Sequence, residues 1–320
     1  MANLTAREGS SLLGAARAVS RVAGVADPGI QLRAAGLPGP LILTVDVEDW
    51  TDAFSRDGRL PHQLQGQPSR LQESLPRLLD LLAASGSTAT FFVLARVARE
   101  LPRLIGSLSA AGHRVACHGW EHRVLDGQAP RQLLTELTDA RALLEDLCGE
   151  PVRGYRAPWF SLTSATAWAG DVIREAGFTY DSSRFPAGNP WYGDSSAPRG
   201  PHRLECGLLE VPPAVAAVGP LRVPVAGGFY WRVVPGALVR WGIDRIRAEG
   251  LPATLYVHPW EFDPGRPWVW ISPMANLIHY TNLHEPGRVL RELLSSGPAR
   301  PIEVALPEAD AGEPREAPRS

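Results

Sequence analysis

Short apolar runs alternate with amphipathic segments along most of this chain, and that alternation limits it to a small set of α/β architectures. An apolar run over residues 41–46 is followed by helical spacing around 71–84 and a second apolar run at 89–94. The same reading predicts a helix near 101–111, a strand at 113–116, a helix at 131–147, a strand near 152–155, a helix at 165–176 and a strand at 178–180. A helix over 236–249, a strand at 253–257 and a final helix near 287–294 continue the pattern. Repeated strand–helix units build a parallel sheet, open or closed into a barrel, and barrels gather their functional residues at the C-terminal ends of the strands.

Three stretches fall outside the alternation. The first forty residues are rich in Ala, Gly and Arg, show a weak helical pattern around 12–22 and end in Gly36-Leu37-Pro38-Gly39-Pro40, which reads as a loosely attached leader. Residues 189–228 turn Pro- and Gly-rich, with short strand candidates at 208–211 and 221–225, and read as an irregular insertion. Residues 307–320 are acidic and proline-bearing with almost no apolar side chains, the composition of a disordered tail. That leaves 41–188 and 229–300 as the α/β body.

The formal net charge of -2 supplies no basic field for a phosphate backbone, so nucleic acid is not an expected partner. No lysine occurs anywhere, which removes Schiff-base chemistry and a phosphate-binding P-loop lysine. Cys117, Cys148 and Cys206 are scattered and form no C-x-x-C pair, as befits a reducing compartment. With no apolar h-region near Met1 and no run approaching the ~18 apolar residues of a membrane span, the expectation is a cytoplasmic protein without a transmembrane segment.

The chemistry sits at strand ends. The first strand runs into Asp46-Val47-Glu48-Asp49, three carboxylates that repel one another unless solvated, protonated or neutralised by a cation. Alternation along a strand places Asp46 and Glu48 on one face, with Asp49 left to the turn that follows. His118 and His122, after the 113–116 strand, stand four residues apart, which puts both rings on one face of a helical turn. Two histidines and a carboxylate form a three-ligand metal site with room for water and substrate. Arg156 follows the strand at 152–155 and His258 ends the strand at 253–257, where a charge partner and a general acid would be wanted. A solvated strand end, a structural salt bridge and a structural histidine are the competing readings at these positions.

Among the aromatics, Trp50, Trp120, Trp191, Tyr192, Tyr230 and Trp231 fit core packing as readily as sugar stacking, whereas Trp159 and Trp260 each adjoin a candidate catalytic position. His279 and His284 read as surface or structural residues, and Cys117, pointing away from its neighbour His118, as core.

Taken in order, these segments resemble the polysaccharide deacetylase superfamily of carbohydrate esterases over roughly residues 41–294. More narrowly, Thr44-Val45-Asp46-Val47-Glu48-Asp49-Trp50, Arg156-Ala157-Pro158-Trp159-Phe160-Ser161, Tyr180-Asp181-Ser182-Ser183, Gly227-Gly228-Phe229-Tyr230-Trp231-Arg232 and His258-Pro259-Trp260-Glu261-Phe262-Asp263 resemble the branch found in bacterial exopolysaccharide loci, which carries an extra C-terminal segment. The resemblance implies a distorted (β/α)7 barrel with a C-terminal extension, and metal-dependent removal of N-acetyl groups from a glycan. It makes Asp46 the general base, Arg156 its partner, His258 the general acid, Asp181 the orienter of His258, and His118 and His122 metal ligands. Trp159 would donate its N–H to the oxyanion, and Trp260 would adjoin the substrate. Many relatives carry two adjacent aspartates where this chain has Asp46-Val47, so the third ligand is Glu48 or Asp49, and alternation favours Glu48. The divalent metal would be Zn, with Co, Ni, Mn and Fe compatible with the same donors. Two other readings stand beside this one: hydrolysis of another small amide, as in allantoinase-like relatives, and a non-catalytic sugar-binding relative.

Overall fold

In a computed structural model, the structure describes residues 38–189 and 192–311. The helical pattern at 12–22, Trp191 and residues 312–320 lie outside the described residues.

Ten strands are described: β1 (Leu41–Val47), β2 (Thr90–Val93), β3 (Arg114–Cys117), β4 (Gly154–Tyr155), β5 (Tyr180–Asp181), β6 (His202–Arg203), β7 (Leu209–Glu210), β8 (Val215–Val218), β9 (Leu221–Pro224) and β10 (Ala253–Val257). Eight form one curled sheet in the order β10-β1-β2-β3-β4-β5-β7-β6. Every pairing from β10 to β7 is parallel, and β6 adds antiparallel to the far edge. These seven parallel strands, curled into a half-barrel, match the distorted (β/α)7 barrel that the resemblance implies.

Period-two alternation decides what each strand contributes. On β1, Leu41, Leu43, Val45 and Val47 join the large apolar cluster beneath the surrounding helices. The intervening Ile42 belongs instead to a second, interior cluster with Phe92, Ala116, Tyr180 and Leu209. The same interior face carries Thr44 and then Asp46 toward the strand's C-terminal end.

The helices cover the outer face because their apolar residues recur at three- and four-residue spacing. In α1 (Leu71–Ala84) the buried stripe is Leu71, Leu75, Leu78 and Leu82. After α2 (Ala95–Glu100) and α3 (Pro102–Ala110), α4 (Pro130–Cys148) buries Leu133, Leu137, Ala140 and Leu144. Beyond α5 (Ala169–Glu175) come α6 (Phe229–Val233), α7 (Gly236–Ala248), α8 (Pro273–Tyr280) and α9 (Glu285–Leu294). Among the described residues, no helix is long and apolar enough to cross a membrane.

Two sequence expectations change here. The stretch read as an irregular insertion supplies β6 and β7 to the main sheet, and β8 and β9 to an antiparallel hairpin. The strand candidates at 208–211 and 221–225 are β7 and β9, whereas β6 and β8, two and four residues long, are too short for periodicity to register. The stretch from Pro307, read as the start of a disordered tail, opens with a short helix. After α10 (Ile302–Ala305), α11 (Pro307–Asp310) packs Ala309 with Ile302 and Leu306 against the interior cluster. Three apolar side chains suffice because they enter a cavity already lined by the strands, where each is almost completely removed from water.

Candidate active site

The C-terminal ends of the parallel strands open into a cavity of about 500 Å³, lined by Asp46, Glu48, His118, His122, Arg156, Trp159, His258 and Trp260 among others. Thus the residues singled out at four separate strand ends converge, with two exceptions described below.

Asp46 leaves the interior face of β1 beside Arg156, which is fully buried. Arg156 Nη1 donates to Asp46 Oδ1 (2.6 Å) and to Thr44 Oγ1 (2.9 Å), Nε to Ser182 O (3.0 Å) and Nη2 to Ser182 Oγ (2.8 Å). Its guanidinium also lies over the Phe92 ring at 4.1 Å. A buried ion is tolerable when its partner and hydrogen bonds replace its hydration, and all three Arg156 nitrogens are engaged. One Asp46 oxygen is thereby fixed, and Oδ2 lies 3.9 Å from His258 Nε2.

Glu48, His118 and His122 bring donor atoms within 4.8 Å of one another, all three residues buried. The histidine spacing fits a helical turn, but no helix forms there. Residues 118–122 make an irregular loop after β3, in which Gly119 at φ 87° turns the chain through the left-handed region. The loop still brings the ring centroids to 5.4 Å. Each ring is held from behind: His118 Nδ1 donates to Arg156 O (2.7 Å) and His122 Nδ1 to Ser55 O (3.2 Å). Those bonds commit the Nδ1 protons and leave both Nε2 lone pairs facing Glu48, 2.7 Å from Oε2 for His122 and 3.8 Å for His118. Lone pairs opposed to a carboxylate in a buried site need a positive charge among them. The same need appears in the ionisation of the group: burial lowers the His122 pKa, but Glu48 more than offsets it and raises the net value. Glu48 in turn, although burial pushes it up, is held well below its usual range by His122, His258 and His118. Two backed imidazoles and a carboxylate are a donor set that fits a divalent metal.

Asp49 is turned away from this group. Its Oδ1 accepts from Trp50 N (2.7 Å), and Oδ1 and Oδ2 accept from Arg70 N at the start of α1 (3.4 and 3.3 Å). Burial raises its pKa.

His258 sits opposite the metal-type cluster, its Nε2 3.7 Å from Glu48 Oε1. Trp260 stacks on it, centroids 4.9 Å apart and planes 19° from parallel, and donates Nε1 to Glu48 Oε1 (3.2 Å). Burial draws the His258 pKa down, but Glu48, Glu261 and Asp46 outweigh it and raise the value to about 9.

Asp181 does not orient His258, contrary to the expectation. It accepts from Ser183 Oγ (2.6 Å) and Ser183 N (3.1 Å), and it shares a buried environment with Glu210 on β7. The carboxylate at His258 Nδ1 is Glu261, at 3.2 Å, and the same Glu261 Oε2 accepts from His258 N (3.0 Å). Glu261 went unnoticed in the sequence, although a side chain three residues after a turn's first residue is where a capping carboxylate stands.

Trp159 occupies the left-handed region (φ 56°, ψ 25°), a conformation costing on the order of 1 kcal/mol for a residue with a Cβ. Its indole Nε1 donates to Ser55 O (2.8 Å), the same carbonyl that holds His122. Of the other aromatics, Trp50 and Trp231 are fully buried, whereas Tyr192 and Tyr230 line the cavity. His284 has an exposed side chain. His279, read as surface or structural, is buried and lines the cavity, as does Arg232. Cys117 is core, its thiol pushed up to about 12 by burial.

Comparison with known proteins agrees with this arrangement. Residues 65–180 match the polysaccharide deacetylase family, and residues 182–301 match a domain of unknown function (DUF3473). A chitooligosaccharide deacetylase of Sinorhizobium fredii is 34% identical over 99 residues, covering 31% of this chain and 43% of that protein. A peptidoglycan deacetylase of Helicobacter pylori is 29% identical over 109 residues, 34% of this chain and 36% of that one. The chain thus spans less than half the length of these curated relatives. A solved Mycobacterium smegmatis structure, provisionally described as a polysaccharide deacetylase, superposes over 94% of this chain and 99% of that one with a TM-score of 0.57 at 22% identity. Puue allantoinase superposes over 88% of this chain and 93% of that one with a TM-score of 0.54 at 17% identity. Both likenesses are of fold. Residues 65–180 are thus similar to the polysaccharide deacetylase family and residues 182–301 to the domain of unknown function, and both stretches supply strands to the one parallel sheet.

Proposed function

We propose that this protein is a metal-dependent hydrolase that removes N-acetyl groups from an amino-sugar glycan, with Asp46 as general base and His258 as general acid. The observation that carries the reading is the convergence of Glu48, His118 and His122 within 4.8 Å, beside an acid and a base that face one another across 3.9 Å. Glu48, His118 and His122 would hold the metal, whereas Asp49 is occupied by the backbone N–H groups of Trp50 and Arg70. A divalent metal bound there, Zn or one of Co, Ni, Mn and Fe, would supply Lewis acidity to the acetamide carbonyl and to the attacking water.

The chain's own groups do the rest. Arg156 holds one Asp46 oxygen, leaving Oδ2 to take a proton from the attacking water. The Trp159 backbone N–H, in its left-handed turn, donates to the developing oxyanion, worth about 2.7–4 kcal/mol when such a donor is aimed at the charge. His258, held at Nδ1 by the Glu261 carboxylate, protonates the departing amine from Nε2. Trp260 keeps the imidazole and Glu48 in fixed relation and closes one wall against water.

The deacetylase names of the partial relatives support an N-acetylated glycan as substrate, and the exopolysaccharide-type motifs support a bacterial surface polysaccharide in particular. A cytoplasmic site of action is part of the proposal and rests on the scattered cysteines, which fit a reducing compartment. The test is acetate release from a panel of N-acetylhexosamine oligomers and lipid-linked glycans after chelation and after adding back single divalent metals. Release that needs added metal supports the reading. No release from any glycan under any metal, with ring-opening of a small cyclic amide instead, replaces it by the allantoinase-like reading, and binding without turnover replaces it by a sugar-binding role.

A further inference from the structure

We propose that Arg232, with Arg266 and His279 behind it, forms an anion-recognition site in the cavity wall, so that the glycan processed there carries a carboxylate or phosphate close to the acetamido sugar. The inference rests on the deacetylase reading and names the substrate class more closely.

Arg232 lies on α6, is 3% exposed and lines the cavity. Its Nε and Nη1 have no hydrogen-bond partner. The carboxylate beside it is Glu261, whose Oε1 stands 3.7 Å from Arg232 Nε, while Oε2 is taken by His258. Arg266 is also buried, donates Nη2 to His279 O, and likewise leaves Nε and Nη1 without partners. His279 lines the cavity with Nδ1 unpartnered.

The charges do not cancel. The two guanidiniums have Glu261 as the carboxylate beside them, and the next carboxylate along the chain, Asp263, is bound by Arg70. Both guanidiniums lie over the Trp260 ring, at 5.5 Å for Arg232 and 4.9 Å for Arg266. A cation over an indole gains less than withdrawing an ion from water costs. Burial lowers the pKa of Arg266 to about 10, so the group stays charged at neutral pH, and it pulls His279 down to about 3, so that ring stays neutral and able to donate. Sugar hydroxyls can accept from the free guanidinium N–H groups but cannot neutralise them, whereas a carboxylate or phosphate does both.

The experiment compares three matched substrates under the metal that restores activity: a neutral N-acetylglucosamine oligomer, the same length with an adjacent glucuronate, and an N-acetylglucosamine diphosphate. The expected result is a KM at least about tenfold lower for the uronate or the diphosphate, the lower arm identifying the anion's source, with the preference shrinking toward unity in Arg232→Gln. Equal KM values on all three, or a preference that survives Arg232→Gln, overturn the anion site while leaving the deacetylase reading intact. Calorimetric titration of the wild-type protein with glucuronate and with inorganic phosphate tests the site without turnover. Binding of either, weakened in Arg232→Gln and in Arg266→Gln, supports it even if none of the glycans is deacetylated. No binding of either in the millimolar range counts against it.

Discussion

Glu261 Oε2 lies 3.2 Å from His258 Nδ1, on the opposite edge of the imidazole from Asp46 and Glu48. The ring is therefore held from behind by one carboxylate and offers Nε2 to the cavity. Glu261→Gln keeps the shape and the acceptor for His258 N but removes the charge that steadies the protonated ring. The expected outcome is a kcat lower by about 10- to 100-fold with KM little changed. Glu261→Asp, too short to reach both His258 atoms, should recover only part of this. A loss confined to KM would remove Glu261 from its assigned role.

Asp46 and His118 should separate in their effects. Asp46→Asn deletes the base but none of the cluster donors, so metal content measured by elemental analysis should match wild type while kcat falls by about 10²–10⁴. His118→Ala removes a donor, and both metal content and activity should fall together. If Asp46→Asn also lost its metal, Asp46 would belong to the metal site rather than beside it.

How much of this was legible in the sequence depended on whether the information was local. Alternation along β1 puts Asp46 on the interior face, because a seven-residue strand carries its own periodicity. Glu48 stands one residue past the strand's end, where its N–H donates to Asp46 O (3.1 Å), and this turn rather than alternation brings it to the same cavity. The pairing of His118 with His122 was legible by spacing, but for the wrong reason: a glycine-containing loop, not a helix, brings the rings together. Asp181 has other partners than the resemblance implies because they are set by the packing of β5 beside β7, and nothing in a two-residue strand announces its neighbour. Arg232 and His279 come from short helices in proline-rich surroundings, and their approach to Trp260 is tertiary throughout.

Ser55 O accepts from two donors, His122 Nδ1 and Trp159 Nε1. The indole thereby helps to fix the carbonyl that sets the tautomer of a candidate ligand. Trp159→Phe keeps a ring in the cavity wall and removes the donor. Metal affinity in a competitive chelator titration should fall, by up to about tenfold. Unchanged affinity would mean that His122 alone positions Ser55 O.

Asp181 and Glu210 give the last expectation, and it concerns stability. Both carboxyls are fully buried, and Glu210 is pushed well above its ordinary range, first by burial and then by the neighbouring Asp181 charge. Its folded-state pKa therefore exceeds the unfolded value. Such a group contributes stability that is fully present below the unfolded pKa and is lost as pH rises through the folded one. Glu210→Gln supplies a permanently neutral group that can still accept from Arg184 N through its carbonyl oxygen. Chemical denaturation of wild type should show stability declining from mildly acidic toward alkaline pH, with a shallower slope in Glu210→Gln over the same range. The variant should gain most at the alkaline end, where wild type confines two negative charges in one buried site. Parallel slopes for the two proteins would show that Glu210 and Asp181 do not hold a proton between them.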